Sequence, residues 1–146
     1  MKKIYVDADA CPVKHEIVKV ATRHKIQVFM VCNGGIRPFR NNLINLIIVS
    51  EGSDEADKWI FEKIKSDDIV VTSDIPLASK CIDKGAYVLK YDGLILNVMN
   101  IGNVLATRDL MSDLRSSDPF LQGKSKNFTR EDKGKFLNAL EILIIN

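Results

Sequence analysis

Residues 68–73 read DIVVTS, and the Ile-Val-Val centre is apolar on both of the faces that a strand presents. A strand of that kind must be covered on both sides, as in a parallel sheet held between two layers of helices. The rest of the chain supplies the layers. Residues 2–7 (KKIYVD) form a β-rich run ending in an acid, and a helix is expected from Pro12 to about His24. Val13, Ile17, Val20 and Ala21 lie there at helical spacing, with the proline in the first turn. Residues 26–32 read as a second strand, Asn33-Gly34-Gly35 with Arg37-Pro38 as a loop, and residues 46–50 as a third strand. After Gly52 the run SDEADKWIFEKI predicts a helix capped by Ser53 or Asp54. The apolar strand is fourth, a helix over about 76–84 closed by Gly85 follows, and residues 86–89 make a fifth strand. Beyond Asp92-Gly93 the pattern is helical, over roughly 97–115 and again over roughly 130–145. This order predicts an α/β fold: a mainly parallel sheet of about five strands flanked by helices, with helices at the C-terminus.

At 146 residues the chain suits one domain spanning residues 1–146, with a core large enough to need no disulfide or structural metal. Hydrophobic residues at 46% and charged residues at 27% argue against disorder. No apolar run nears the roughly 18 residues of a membrane span, and Met1-Lys2-Lys3 is followed by only a few apolar residues before Asp7. Neither a membrane anchor nor a signal peptide is expected, and the location expected is cytoplasmic. Three cysteines, Cys11, Cys32 and Cys81, form no CxxC pair, which fits a reducing compartment.

The net charge of +2 conceals an asymmetry. Residues 1–50 carry eight Lys/Arg against three Asp/Glu, whereas residues 51–100 carry six against ten. In open parallel sheets ligands bind beyond the carboxyl ends of the strands. Acids recur at three such exits: Asp7 and Asp9 after the first strand, Asp54 and Asp57 after the third, and Asp74 after the fourth. Crowded carboxylates repel, so their convergence would imply a hard cation with oxygen ligands. Structural roles compete. Asp54 and Asp57 suit the first turn of a helix, and Asp9 suits a cap, whereas Asp7 and Asp74 each follow an apolar strand without an evident turn. Cys11 reads as a small buried residue and His15 and His24 as surface residues. No GxGxxG or GxxxxGK[ST] is present, so neither a dinucleotide site nor a Walker-type site is expected.

The phrases YVDADACPVK at 5–14, GSDEADKWI at 52–60 and VVTSDIPLASKCIDKGA at 70–86 resemble the YaiI/YqxD family of uncharacterised bacterial proteins. Asn100-Ile101 and Arg108-Asp109 match it as well. The resemblance implies kinship with PIN-like domains, whose nuclease members hold Mg²⁺ or Mn²⁺ on a few acids and cut phosphodiester bonds. By position the family's acidic motif residues fall on Asp7, Asp9, Asp54, Asp57 and Asp74. Two places depart from the family pattern: residues 116–124 replace a Gly-Gly-Pro run, and Asp92 stands where a basic residue is frequent.

The first functional expectation is a metal-dependent nuclease acting on RNA, with Asp7, Asp57 and Asp74 holding one or two Mg²⁺ or Mn²⁺ ions. Asp9 or Asp54 would complete the coordination or orient water. Thr72 and Ser73 would bond a metal-bound water or a phosphate, and Arg37, Arg40 and Lys80 are candidate phosphate contacts. The alternative is a non-catalytic PIN-like scaffold that binds metal, RNA or a protein partner, which the near-neutral charge favours. A haloacid-dehalogenase-like phosphatase ranks below both. Its nucleophile would be Asp7 and its acid/base Asp9, but the acidic pair it needs, Asp67-Asp68, falls at the start of the fourth strand and hence on the other edge of the sheet.

Overall fold

The computed structural model describes residues 2–52, 54–117 and 128–146. Six strands and five helices follow one another along the described chain: β1 (Ile4–Asp7), α1 (Lys14–His24), β2 (Val28–Cys32), β3 (Ile44–Ile48), α2 (Glu55–Lys63), β4 (Ile69–Val71), α3 (Ile75–Asp83), β5 (Tyr87–Leu89), β6 (Ile95–Leu96), α4 (Ile101–Ser117) and α5 (Arg130–Ile145). The strands form one sheet in the order β3-β2-β1-β4-β5-β6. All neighbours are parallel except β6, which runs antiparallel to β5. The α/β architecture expected from the alternation is thus the one observed.

Side-chain alternation divides the core into two layers. Ile4 and Val6 of β1, with Met30 of β2 and Val71 of β4, pack under Ile17 and Val20 of α1 and Phe136 and Leu140 of α5. Tyr5 of β1 and Val70 of β4 point to the other layer, against Ile60 of α2 and Leu77, Ala78 and Cys81 of α3. Ile69, Val70 and Val71 are all fully buried, as a strand covered on both faces requires.

The differences from the expected boundaries have local causes. Pro12 lies before α1 rather than in its first turn. A tight turn, in which the Cys11 N–H donates to the Ala8 carbonyl at 3.3 Å, delays the helix until Lys14, with Val13 at the N-cap. Strand β3 sits two residues earlier than residues 46–50, because its register with β2 runs from Val28 opposite Ile44 to Cys32 opposite Ile48. The two-residue β6 escapes a pattern search by its brevity. Helix α4 begins at Ile101 rather than near 97, since Asn97 and Asn100 form the preceding turn: each side-chain oxygen accepts the other's backbone N–H, at 2.9 and 3.2 Å. The Asn100 amide also donates to the Ile95 carbonyl at 2.9 Å, tying the start of α4 to β6. Helix α5 begins as expected, with Thr129 and Asp132 forming a reciprocal capping box.

One glycine is fixed by a close approach. Gly93, in the β5–β6 turn, has φ +93°, and a Cβ there would lie 2.6 Å from the carbonyl carbon of Lys135 on α5. Asp92 shapes the same turn by accepting the Leu94 N–H at 3.1 Å. Ser53 and residues 118–124 of the divergent segment lie outside the described residues.

Candidate functional site

The chain leaves β1 toward β2 on one side, and β4, on its other side, continues to β5, so the strand order reverses between β1 and β4. That reversal opens a crevice at the carboxyl ends of the two strands, and Asp7 ends one of them. Asp7 has the same strand parity as Tyr5, and Thr72 the same as Val70, which directs both toward the α2/α3 layer. The Thr72 hydroxyl donates to the Asp7 carboxylate at 3.1 Å and accepts the Asp74 backbone N–H at 3.0 Å. One fully buried hydroxyl therefore fastens the two strand exits together. Thr72, expected to bond a phosphate or a metal-bound water, has its hydroxyl committed inside the protein instead.

Asp74 is the N-cap of α3, accepting the Leu77 N–H at 3.0 Å. This reverses the capping expectations. Asp54 occupies the N-cap position of α2 but makes no side-chain cap bond, and Asp9 accepts the Asn33 N–H at 3.0 Å, steadying the loop after β2. The Asp57 side chain lies beside that of Asp74. Its pKa is pushed up to about 7, first by burial and then by Asp74, Asp7 and Asp54. Asp7 is also raised, chiefly by burial; the Thr72 hydrogen bond opposes that rise, and Asp74 and Asp9 add to it. All five sequence-predicted acids therefore belong to one electrostatic neighbourhood.

A cavity of about 340 Å³ opens beside them, lined by Asp54, Asp57, Lys58 and Phe61 from the α2 side and by Asp74, Leu77 and Lys80 from the α3 side, with Arg108 of α4. Positions 54, 57, 58 and 61 share one helical stripe, as do 74, 77 and 80, so two helix faces build the walls. Lys80 is thus beside the acids. Arg37 and Arg40 are exposed on the loop between β2 and β3 and line no part of this cavity. Ser73 is exposed beside Tyr91.

Three participants were not singled out from the sequence. Lys58 and Arg108 bring cations to the cavity, and Arg108 is half of the Arg-Asp pair in the family-like segment, a signal that could have marked it. Tyr91, just past β5, donates its hydroxyl to the Asp7 carbonyl at 2.7 Å. Burial, Asp7 and Cys11 all push the phenol pKa upward, so it stays a donor. Cys11 is buried and its thiol pushed up to about 11, chiefly by that burial, as befits an inert core cysteine. His15 is exposed, and His24 is half-buried with its Nε2 2.9 Å from Glu141 of α5. Asp68, at the opposite edge of the sheet, is buried and accepts the Lys3 and Lys65 N–H groups at 3.0 and 3.1 Å. It holds the chain there and stands apart from Asp7.

Among the described residues, no three His, Cys, Asp or Glu side chains are placed to hold a metal ion. A dedicated all-protein cage is therefore not what these residues suit. The Asp57–Asp74 pair suits a smaller demand: Mg²⁺ commonly keeps several waters and takes one or two carboxylates together with substrate phosphate. Lys58, Lys80 and Arg108 around that pair supply the charge a phosphate needs.

Comparison with known proteins places this geometry in a lineage. The family model described as "Uncharacterized BCR, YaiI/YqxD family" matches residues 5–146. A UPF0178 protein of Roseobacter denitrificans is 55% identical over 141 residues, covering 97% of this chain and 93% of its own. One from Cereibacter sphaeroides is also 55% identical, over 97% of this chain and 87% of its own. A more distant relative in Gluconacetobacter diazotrophicus is 46% identical over 145 residues, 99% of this chain and 94% of its own.

Proposed function

The chain belongs to the YaiI/YqxD family, and from its acid-lined crevice we propose that it is a divalent-cation-assisted phosphodiesterase acting on single-stranded RNA. The observation that carries this reading is the carboxyl pair Asp57–Asp74, set at the strand-order reversal and facing Lys58, Lys80 and Arg108 in one cavity. Acids crowded enough to hold a proton release it readily to a divalent cation, and the Lys58, Lys80 and Arg108 that line the same cavity suit an anionic ligand arriving with that cation. The PIN-like kinship implied by the sequence resemblance would put the same chemistry here.

In this mechanism Asp57 and Asp74 would hold the cation, with Asp7 adding negative charge behind them. A bound Mg²⁺ or Mn²⁺ ion would supply Lewis-acid stabilisation of charge developing on the phosphoryl oxygens. Lys80 and Arg108 hold the phosphate and fix its orientation. Asp54, at the cavity wall, orients the attacking water. Thr72 keeps β1 and β4 at the spacing that brings Asp7 beside Asp74, acting through those residues rather than on the substrate.

The alternative, a scaffold binding RNA or a protein partner without cutting, draws on Val98 and Met99 before α4, which expose 74% and 86% of their surface. One pair of measurements separates the two. Purified protein with Mn²⁺ is expected to cleave single-stranded RNA, and Asp57→Asn, purified in parallel, is expected to lose cleavage while keeping its fold. Binding without metal-dependent cleavage across several RNA and DNA substrates would leave the scaffold reading. Activity persisting in Asp57→Asn would not belong to this site.

A further inference from the structure

Beside the acid-lined cavity lies a second one of about 440 Å³, and the two share a wall. Arg108 lines both, and Ser73 of the second is the chain neighbour of Asp74 in the first. The second cavity differs in chemistry. Its walls include Ile75, Leu94 and Val104, which are apolar, and Asn103 and Thr107, which offer an amide and a hydroxyl. Asn103, Val104 and Thr107 fall at i, i+1 and i+4 on α4, so one stretch of helix presents both an apolar surface and hydrogen-bonding groups. Lys90 stands at the same cavity, 4.0 Å from Asp92. Both volumes fall within the ~300–1,000 Å³ usual for small-molecule sites.

We propose that this second cavity is a nucleobase subsite, so that the protein takes a nucleotide with its phosphate beside Asp57 and Asp74 and its base between Leu94 and Val104. The inference rests on the phosphodiesterase reading for the phosphate's place and adds the group attached to it. A base has a flat apolar face and a polar edge, and the cavity pairs an apolar surface with the Asn103 amide and the Thr107 and Ser73 hydroxyls. Two cations line the cavity, Arg108, which it shares with the acids, and Lys90, as suits a ligand carrying phosphate.

The test is a titration of the full chain in millimolar Mg²⁺ with adenosine 5′-monophosphate and, separately, ribose 5-phosphate, followed by backbone amide NMR. The monophosphate is expected to bind about tenfold more tightly and to shift the amides of Leu94, Asn103 and Val104. Thr107→Trp fills the cavity from an exposed position and should bring the two affinities together by weakening the monophosphate, without lowering the melting temperature. Equal affinities in the parent protein overturn the subsite, as does a preference that Thr107→Trp does not alter. If the preference stands but no RNA is cleaved, the subsite is upheld and the hydrolytic reading fails; if RNA is cleaved without a preference for the base, hydrolysis is upheld and the subsite fails.

Discussion

Asp57 on α2 lies beside Asp74, the residue that caps α3, close enough for Asp74 to push the Asp57 pKa upward. Two acids 17 positions apart in the sequence thus meet because two helices of one layer begin at the same edge of the sheet. A carboxylate that caps a helix is already held by a backbone N–H, so it keeps its place while a second carboxyl approaches. The contact has consequences that solution measurements can reach.

The first concerns pH. Asp57 is pushed up to about 7 by burial and by the acids around it, whereas an unfolded Asp titrates near about 4. Between those values the folded protein holds more protons than the unfolded chain, so stability falls as pH rises from about 4 to about 7, and the loss is complete above that. Asp57→Asn should flatten this slope. Because the side chain is only half-buried, screening limits the gain at about pH 8.5 to at most ~1 kcal/mol. Urea denaturation at several pH values checks it, and a variant as pH-dependent as its parent over this range contradicts the assignment.

Divalent cations should act on the same pair. Mg²⁺ or Mn²⁺ binds deprotonated carboxylates, so the rise in Tm should be larger at about pH 8 than at about pH 5.5, and at ten times Kd it corresponds to about 1.4 kcal/mol. Asp74→Asn should lose the rise without losing the helix cap, since Asn caps nearly as well as Asp. Calorimetry with and without the metal is sufficient. A rise that survives in Asp74→Asn would move the cation elsewhere.

Thr72 offers a test of the scaffold beneath the acids. Thr72→Val keeps the shape but removes the donor to Asp7 and the acceptor for the Asp74 N–H, and should cost about 1–3 kcal/mol. It should also raise the Asp7 pKa further, since that hydrogen bond opposes the effect of burial. Thr72→Ser retains the hydroxyl and should recover much of the loss. Denaturation curves for the three proteins decide the matter, and equal stability of Thr72→Val and the parent would show the bonds to be dispensable.

Gly93→Ala is predicted to destabilise through backbone contact rather than chemistry. Its Cβ would lie 2.6 Å from the Lys135 carbonyl carbon at a φ of +93°, so the β5–β6 turn and α5 must separate, at about 1–3 kcal/mol. The cation-dependent rise in Tm, whose proposed ligands are Asp57 and Asp74, should change little under conditions where the variant stays folded. An unchanged denaturation midpoint would contradict the close approach.

Much of the architecture was legible in residue order alone. A strand such as Ile69–Val71, apolar on both faces, can be satisfied only between two helical layers, and strand parity then decides which face Tyr5, Asp7, Val70 and Thr72 address. The acids at strand exits followed from the same logic, because parallel strands deliver their carboxyl ends to one edge. Other features depend on distances that no local pattern encodes. Which acid caps a helix depended on the path of each loop: Asp9 turned to Asn33, Asp54 made no cap bond, and Asp74 took the Leu77 N–H. The Asp57–Asp74 contact, the raised Asp57 pKa, and the arrival of Arg108 from a helix started by Asn97 and Asn100 all arise from how α2, α3 and α4 pack over the sheet. Sequence periodicity determines which face of an element is buried; only tertiary packing determines which buried faces, and hence which charges, come together.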